Sequence, residues 1–155
     1  MIRPATIDDT PTIFRLIRQL AEYARLSHEV VLEERQLREH LFGPRPWAEV
    51  VLAEEAGQVV GFALFFHNYS TFAGKPGLYL EDLFVEPEHR GQGHGKALFQ
   101  AVVRLAAERG CGRMEWSVLD WNEPAVRFYR SLGAKALDEA TIYRLAGGSL
   151  ADAAK

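Results

Sequence analysis

Apolar positions along this chain change period several times, and the changes divide it into elements. Ile13, Leu16, Ile17, Leu20 and Ala21 recur at helical spacing and predict a helix over residues 11–24. Asp8, Asp9 and Thr10 offer N-caps for it, and Pro11 suits its first turn. Leu37 and Leu41 mark the inward face of a second helix over 33–42, stopped by Gly43-Pro44-Arg45-Pro46. Residues 47–54 and 59–67 are extended runs joined by a glycine-containing turn, the signature of a hairpin. Residues 68–77 read as a loop or a second hairpin turn. Residues 78–85 form an apolar, aromatic strand that Pro87 ends. Leu98, Ala101, Val102 and Leu105 then share one face of a helix ending at Gly110. A strand follows over 113–119, with Met114, Trp116 and Val118 on one face. Ala125, Phe128, Tyr129 and Leu132 predict a last helix between an Asn122 cap and Gly133. Residues 2–5, 134–137 and 141–145 complete the pattern as short strands.

The composition narrows what such a chain does. Its 155 residues, 48% of them hydrophobic, suffice for one domain with a sizeable core. We assign that domain to residues 1–148 and expect 149–155 to be a mobile tail. A formal charge of −3 argues against a general nucleic-acid or membrane-surface binder. The longest apolar run, 59–66, is far short of a membrane span, and the N-terminus lacks signal-peptide form. The single cysteine, Cys111, excludes an internal disulfide and fits a reducing, cytoplasmic setting. The histidines at 28, 40, 67, 89 and 94 have no metal-binding spacing, so no metal is expected.

The chemistry concentrates between the 78–85 strand and the helix after it. The junction reads Arg90-Gly91-Gln92-Gly93-His94-Gly95-Lys96. A glycine-rich turn opening a helix presents backbone N–H groups that lack intrahelical partners, at the positive end of the helix dipole. It suits a phosphate or pyrophosphate, with Arg90 and Lys96 adding charge. A P-loop needs glycine where Arg90 stands and Ser or Thr where Ala97 stands. The dinucleotide fingerprint needs glycine where Lys96 stands.

What remains, R-G-x-G-x-G-K after a strand carrying Glu81-Asp82, resembles the acetyl-CoA pyrophosphate loop of the GNAT N-acetyltransferases. Asp120-Trp121-Asn122-Glu123-Pro124 through Phe128-Tyr129 to Gly133 resembles that family's W-N-x-P…F-Y-x-x-x-G segment, and Ile2-Arg3-Pro4-Ala5-Thr6 resembles its first strand. Leu78-Tyr79-Leu80-Glu81-Asp82 together with Trp121-Asn122-Glu123-Pro124 resembles the spermidine/spermine (diamine) branch, including its thialysine acetyltransferase-like members. The resemblance implies an α/β (mixed α+β) fold, with a central, mostly antiparallel sheet and flanking helices. It implies acetyl-CoA as co-substrate. The pyrophosphate would meet Arg90, Gly91, Gln92, Gly93, His94, Gly95 and Lys96. The pantetheine arm would run along Leu83, Phe84 and Val85, with further CoA contacts from Asn122, Pro124, Ala125 and Tyr129. It implies a homodimer whose acceptor groove is shared between subunits.

Amide formation needs a neutral amine and a protonated leaving thiolate. An alkylammonium has a pKa of about 10.4, so neutralising it at pH 7 costs roughly 4–5 kcal/mol. A carboxylate beside the amine takes that proton, directly or through water. By resemblance Glu81 is this base, and Asp82 helps hold the acceptor. Adjacent strand residues point to opposite faces, so the two have different roles unless the strand is bulged. The bland alternative is one solvated carboxylate and one ordinary ion pair. Tyr129 matches the family's general acid, although it also fits the buried stripe of its helix. Asn122 serves as a helix cap in either case. Tyr23 and Phe72 match acceptor-side positions.

The sequence departs from the polyamine pattern at acidic positions. After the first helix stand Ala24, Leu26, Ser27 and His28, and Ser70 replaces another acid. A long polycation needs spaced carboxylates, so a shorter diamine or a lysine-like amino acid such as thialysine fits as well, with Arg25 available to a carboxylate. The expected function is acetyl transfer to a small primary amine by direct attack in a ternary complex. The alternatives are a protein or aminoglycoside acceptor, or a non-catalytic acyl-CoA sensor.

Overall fold

The computed structural model describes residues 1–155, which form two compact units, Met1–Ser117 and Val118–Lys155. The first holds β1 (Ile2–Pro4), α1 (Thr10–Tyr23), α2 (Glu34–Phe42), β2 (Glu49–Glu55), β3 (Gln58–Ser70), β4 (Lys75–Val85), α3 (His94–Glu108) and β5 (Met114–Trp116). The strands make one sheet in the order β1-β2-β3-β4-β5. Neighbours are antiparallel except β4 and β5, which run parallel because α3 crosses between them.

The apolar pattern explains both faces of this sheet. Val50, Leu52, Phe62 and Phe84 pack with Ile13 and Leu16 of α1 and Leu37 and Leu41 of α2 in one buried cluster. On the other face α3 packs against β2, β3 and β4, with Leu98 and Val102 fully buried. Each such side chain removed from water contributes about 1.5–3 kcal/mol. The β3–β4 hairpin extends past its expected ends because pairing continues to Ser70 and Lys75 beside the turn. Ser70 holds that turn: its hydroxyl accepts from Ala73 N at 3.2 Å, and its carbonyl accepts from Gly74 N at 2.9 Å. The strand expected over 113–119 is confined to Met114–Trp116, because β4 offers it partners only at Leu78–Leu80.

The second unit contains α4 (Glu123–Ser131) and α5 (Gly147–Ala153). Asn122 caps α4, its Oδ1 accepting from Ala125 N at 3.4 Å, and Pro124 occupies the first turn. Strands expected at 134–137 and 141–145 are not formed. A short apolar run becomes a strand only when a neighbour supplies its ladder bonds, and the sheet enlists no strand beyond β5. Leu137, Ile142 and Tyr143 are accordingly exposed. No helix in the chain is long and apolar enough to cross a membrane.

Candidate active site

Glu81 interrupts the β3–β4 ladder. Leu80 pairs with Phe65 and Asp82 with Leu64, so Glu81 is an extra residue without its own partner, a β-bulge. Paired residues share a face. Asp82 therefore lies with Leu64, Phe62 and Phe84 on the α1/α2 face, whereas Leu80 lies with Phe65 on the α3 face. Alternation from Leu80 puts Glu81 on the α1/α2 face as well. Both carboxylates consequently share one side, Glu81 exposed and Asp82 half-buried. Burial, and secondarily the charge of Glu81, pushes the Asp82 carboxyl up to about 7. Tyr79 joins this face: its ring stacks on Phe66 at 5.3 Å between centroids, and its hydroxyl lies 2.7 Å from Ser117 Oγ. Phe66 and Tyr79 escape a motif search, because aromatics in a strand read as core.

Past the bulge, β4 changes neighbours. Its pairing with β5 covers only Leu78–Leu80, while its pairing with β3 continues to Val85. Leu83, Phe84 and Val85 thus lie on a stretch bonded to a strand on one side alone, which leaves backbone groups for the amides of an extended ligand. The glycine turn follows. Gly91 and Gly93 have φ of +78° and +87°, in the left-handed region open to glycine, and a Cβ at either would meet no atom within 4 Å. Gly93 is the N-cap of α3 and supplies no side chain to cap it, so the first N–H groups of α3 remain for a ligand. Gly95 lies where α3 begins against Val85, with a Cβ placed there 3.9 Å from Val85 Cγ2. Open space, outward N–H groups and Lys96 suit a pyrophosphate.

Arg90 is directed differently from a simple phosphate ligand. Its Nε donates to Val85 O at 2.9 Å, and its guanidinium lies 4.4 Å from the Tyr23 ring centroid and 5.4 Å from that of Phe84. Tyr23 therefore supports the start of the glycine turn from the end of α1. Gln92 and His94 point their side chains at Glu55, a residue for which the sequence carries no signal. Phe72 stands fully exposed at the tip of the β3–β4 turn, away from partners in the core. Arg25 has φ of +62°, a left-handed conformation rare for a side-chain-bearing residue.

In the second unit, Tyr129 lies on α4 with its ring 5.4 Å from that of Phe128. Burial pushes its hydroxyl up to about 12, so it stays protonated at every physiological pH. Pro124 and Ala125 occupy the first turn of the same helix, and the Ala125 N–H is taken by Asn122.

Comparison with known proteins gives a consistent result. The model of the acetyltransferase (GNAT) family matches residues 14–134. Among curated relatives, a thialysine N-epsilon-acetyltransferase of Bos taurus is 42% identical over 148 residues, covering 90% of this chain and 86% of the relative. The L-ornithine N5-acetyltransferase of Arabidopsis thaliana is 34% identical, covering 96% of this chain and 85% of that one. Among solved structures, an integron cassette protein from the mobile metagenome of V. cholerae superposes with a TM-score of 0.84 at 26% identity, covering 100% of this chain and 97% of that one.

Proposed function

Because the chain belongs to the acetyltransferase (GNAT) family, we propose that it acetylates the terminal side-chain amine of a small amino acid of the lysine, ornithine or thialysine type. It is an acetyl-CoA-dependent N-acetyltransferase that acts on an amine of a small molecule. The relatives named for thialysine and ornithine support the acceptor class, since both acceptors carry a terminal amine and a carboxylate. Ser70 supports the same choice. Its hydroxyl is committed to the β3–β4 turn and adds no charge for a longer polycation.

The observation that carries the catalytic reading is the bulge, which sets Glu81 and Asp82 on one face beside the half-open stretch of β4. Acetyl-CoA supplies the activated acetyl group as a thioester. The backbone of Leu83, Phe84 and Val85 holds the pantetheine arm, and the N–H groups at the start of α3, with Lys96, hold the pyrophosphate. Asn122, Pro124 and Ala125 add contacts from α4. Asp82 fixes the acceptor's ammonium by charge. Glu81 takes its proton through water, leaving a neutral nitrogen to attack the thioester carbonyl directly. Tyr129, neutral throughout, gives its proton to the departing thiolate. A homodimer belongs to the same reading, supported by the exposed Leu137, Ile142, Tyr143 and Leu145.

The test is release of free thiol from acetyl-CoA against an amine panel, with mass spectrometry of the products. The panel holds lysine, ornithine, thialysine, putrescine, spermidine, spermine, an aminoglycoside and a short peptide. The expected products carry one acetyl on the terminal amine of the amino acids. Turnover confined to the peptide or the aminoglycoside would contradict the reading.

A further inference from the structure

Glu55 ends β2, where the chain turns through Ala56 (φ +50°) and Gly57 (φ +80°) into β3. Its carboxylate gathers three side chains from a single stretch around the glycine turn. His89 Nδ1 lies 2.7 Å from Glu55 Oε2, and His94 Nε2 lies 3.4 Å from the same oxygen. The Gln92 amide, with its nitrogen toward the carboxylate, reaches Oε1 at 2.8 Å and Oε2 at 3.2 Å. The His94 side chain is only 15% exposed, and its buried Nε2 makes no hydrogen bond, so the Glu55 carboxylate is its ion-pair contact. The hydrogen bond with His89 first, and the nearness of His94, hold the Glu55 carboxyl below the usual carboxylate range.

This arrangement addresses a problem the glycines create. Gly91 and Gly93 accept left-handed conformations but do not enforce them, and a glycine loses more freedom on ordering than any other residue. A turn built on two of them has a large entropic cost to fix, and that cost weakens any ligand the turn binds. Gln92 sits between the two glycines, and His89 and His94 flank them. Anchoring all three to one carboxylate orders the turn before the ligand arrives. We propose that Glu55 is a positioning residue for acetyl-CoA, holding residues 89–94 in the conformation whose backbone N–H groups receive the pyrophosphate. The inference rests on the assignment of the pyrophosphate to this turn.

The sign of the effect separates positioning from charge. By Coulomb repulsion alone, a carboxylate near an anion site opposes binding, so its removal tightens acetyl-CoA. Positioning gives the opposite result. The experiment titrates wild type, Glu55→Ala and Glu55→Gln with acetyl-CoA and with S-acetylpantetheine, which lacks the pyrophosphate, after thermal unfolding has verified each variant's fold. Wild type is expected to prefer acetyl-CoA. Glu55→Ala is expected to weaken acetyl-CoA about tenfold, the scale of one charge-assisted hydrogen bond. S-acetylpantetheine binding and kcat at saturating acetyl-CoA are expected to stay within about twofold. Glu55→Gln keeps an acceptor oxygen for the histidines and recovers most of the loss; it also carries the test if the alanine variant does not fold. Unchanged or tighter acetyl-CoA binding by the folded alanine variant, with wild type still preferring acetyl-CoA, overturns the positioning role and leaves the turn's assignment standing. A wild type that binds both ligands equally overturns that assignment and this inference with it.

Discussion

Leu80 and Asp82 are two positions apart on one strand, yet they point to opposite faces of the sheet, because Leu80 pairs with Phe65 and Asp82 with the adjacent Leu64. Glu81 absorbs the difference. In a regular strand Asp82 would follow Leu80 onto the α3 face, and Glu81 would stand alone on the other. The extra residue converts a neighbouring pair of carboxylates, which the strand geometry would separate, into one acidic site.

Asp82 is held in that site at a cost to stability. Its folded-state value, about 7, lies above its ordinary 3.8, so the folded protein binds more protons than the unfolded chain between those values. The destabilisation is absent below about pH 4, grows as pH rises, and is complete above about pH 7. Its ceiling is about 4 kcal/mol at 1.36 kcal/mol per pKa unit. Asp82→Asn is therefore expected to raise Tm at about pH 8 and to leave it unchanged near pH 4, while lowering affinity for the acceptor. Paired calorimetric scans at the two pH values check it.

Tyr129 is half-buried and stays protonated. Tyr129→Phe removes one hydroxyl and keeps the ring that packs beside Phe128. The expected loss in kcat is about 10²–10⁴-fold, the usual range for a general acid, with acetyl-CoA affinity within about twofold. Turnover at the wild-type rate would remove Tyr129 as the acid.

Gly93 turns into α3 with φ of +87° in open space. The penalty for a side chain there is in the backbone, and a β-branched residue suffers most. Gly93→Val is expected to abolish measurable acetyl-CoA binding in a protein that still unfolds cooperatively, as read by titration and thermal melting. Normal binding would detach the turn from the cofactor.

The acceptor's carboxylate is tested by matched pairs. Ornithine and putrescine differ only by that group, as do lysine and cadaverine. The amino acids are expected to have the higher kcat/KM, by at least about tenfold, the scale of one charged hydrogen bond. Arg25→Ala then shows whether the cation after α1 reads the carboxylate, by erasing the difference. Equal use of both members of each pair would shift the acceptor class to diamines.

Much of this molecule was legible in its residues, for local reasons. The spacing of Ile13, Leu16 and Leu20, the cap at Asn122 and the glycines at 91, 93 and 95 are statements about neighbours in sequence, and the structure bears out the helices and the turn they describe. The bulge was not legible. Residues 78–85 are apolar on both sides of Glu81-Asp82, and a strand buried on both faces carries no phase to read. Its phase is set by Leu64 and Phe65, residues of another strand. Glu55 was hidden for the same reason, its His89 partner standing 34 positions away. The terminal strands failed in the other direction: the short runs 134–137 and 141–145 carry apolar residues, but apolar residues do not supply a ladder partner.

The most direct measurement is the pH dependence of kcat/KM for the amine in wild type and in Glu81→Gln, from about pH 6 to about 9.5. If Glu81 takes the amine's proton, the wild-type profile levels off above neutrality. The variant has to wait for the amine to ionise by itself, so its kcat/KM climbs about tenfold per pH unit toward the amine's pKa of about 10.4. The defect is then large at neutral pH and shrinks steadily as pH rises. A defect of constant size across the range, or no defect at all, would contradict the assignment of Glu81 as the base.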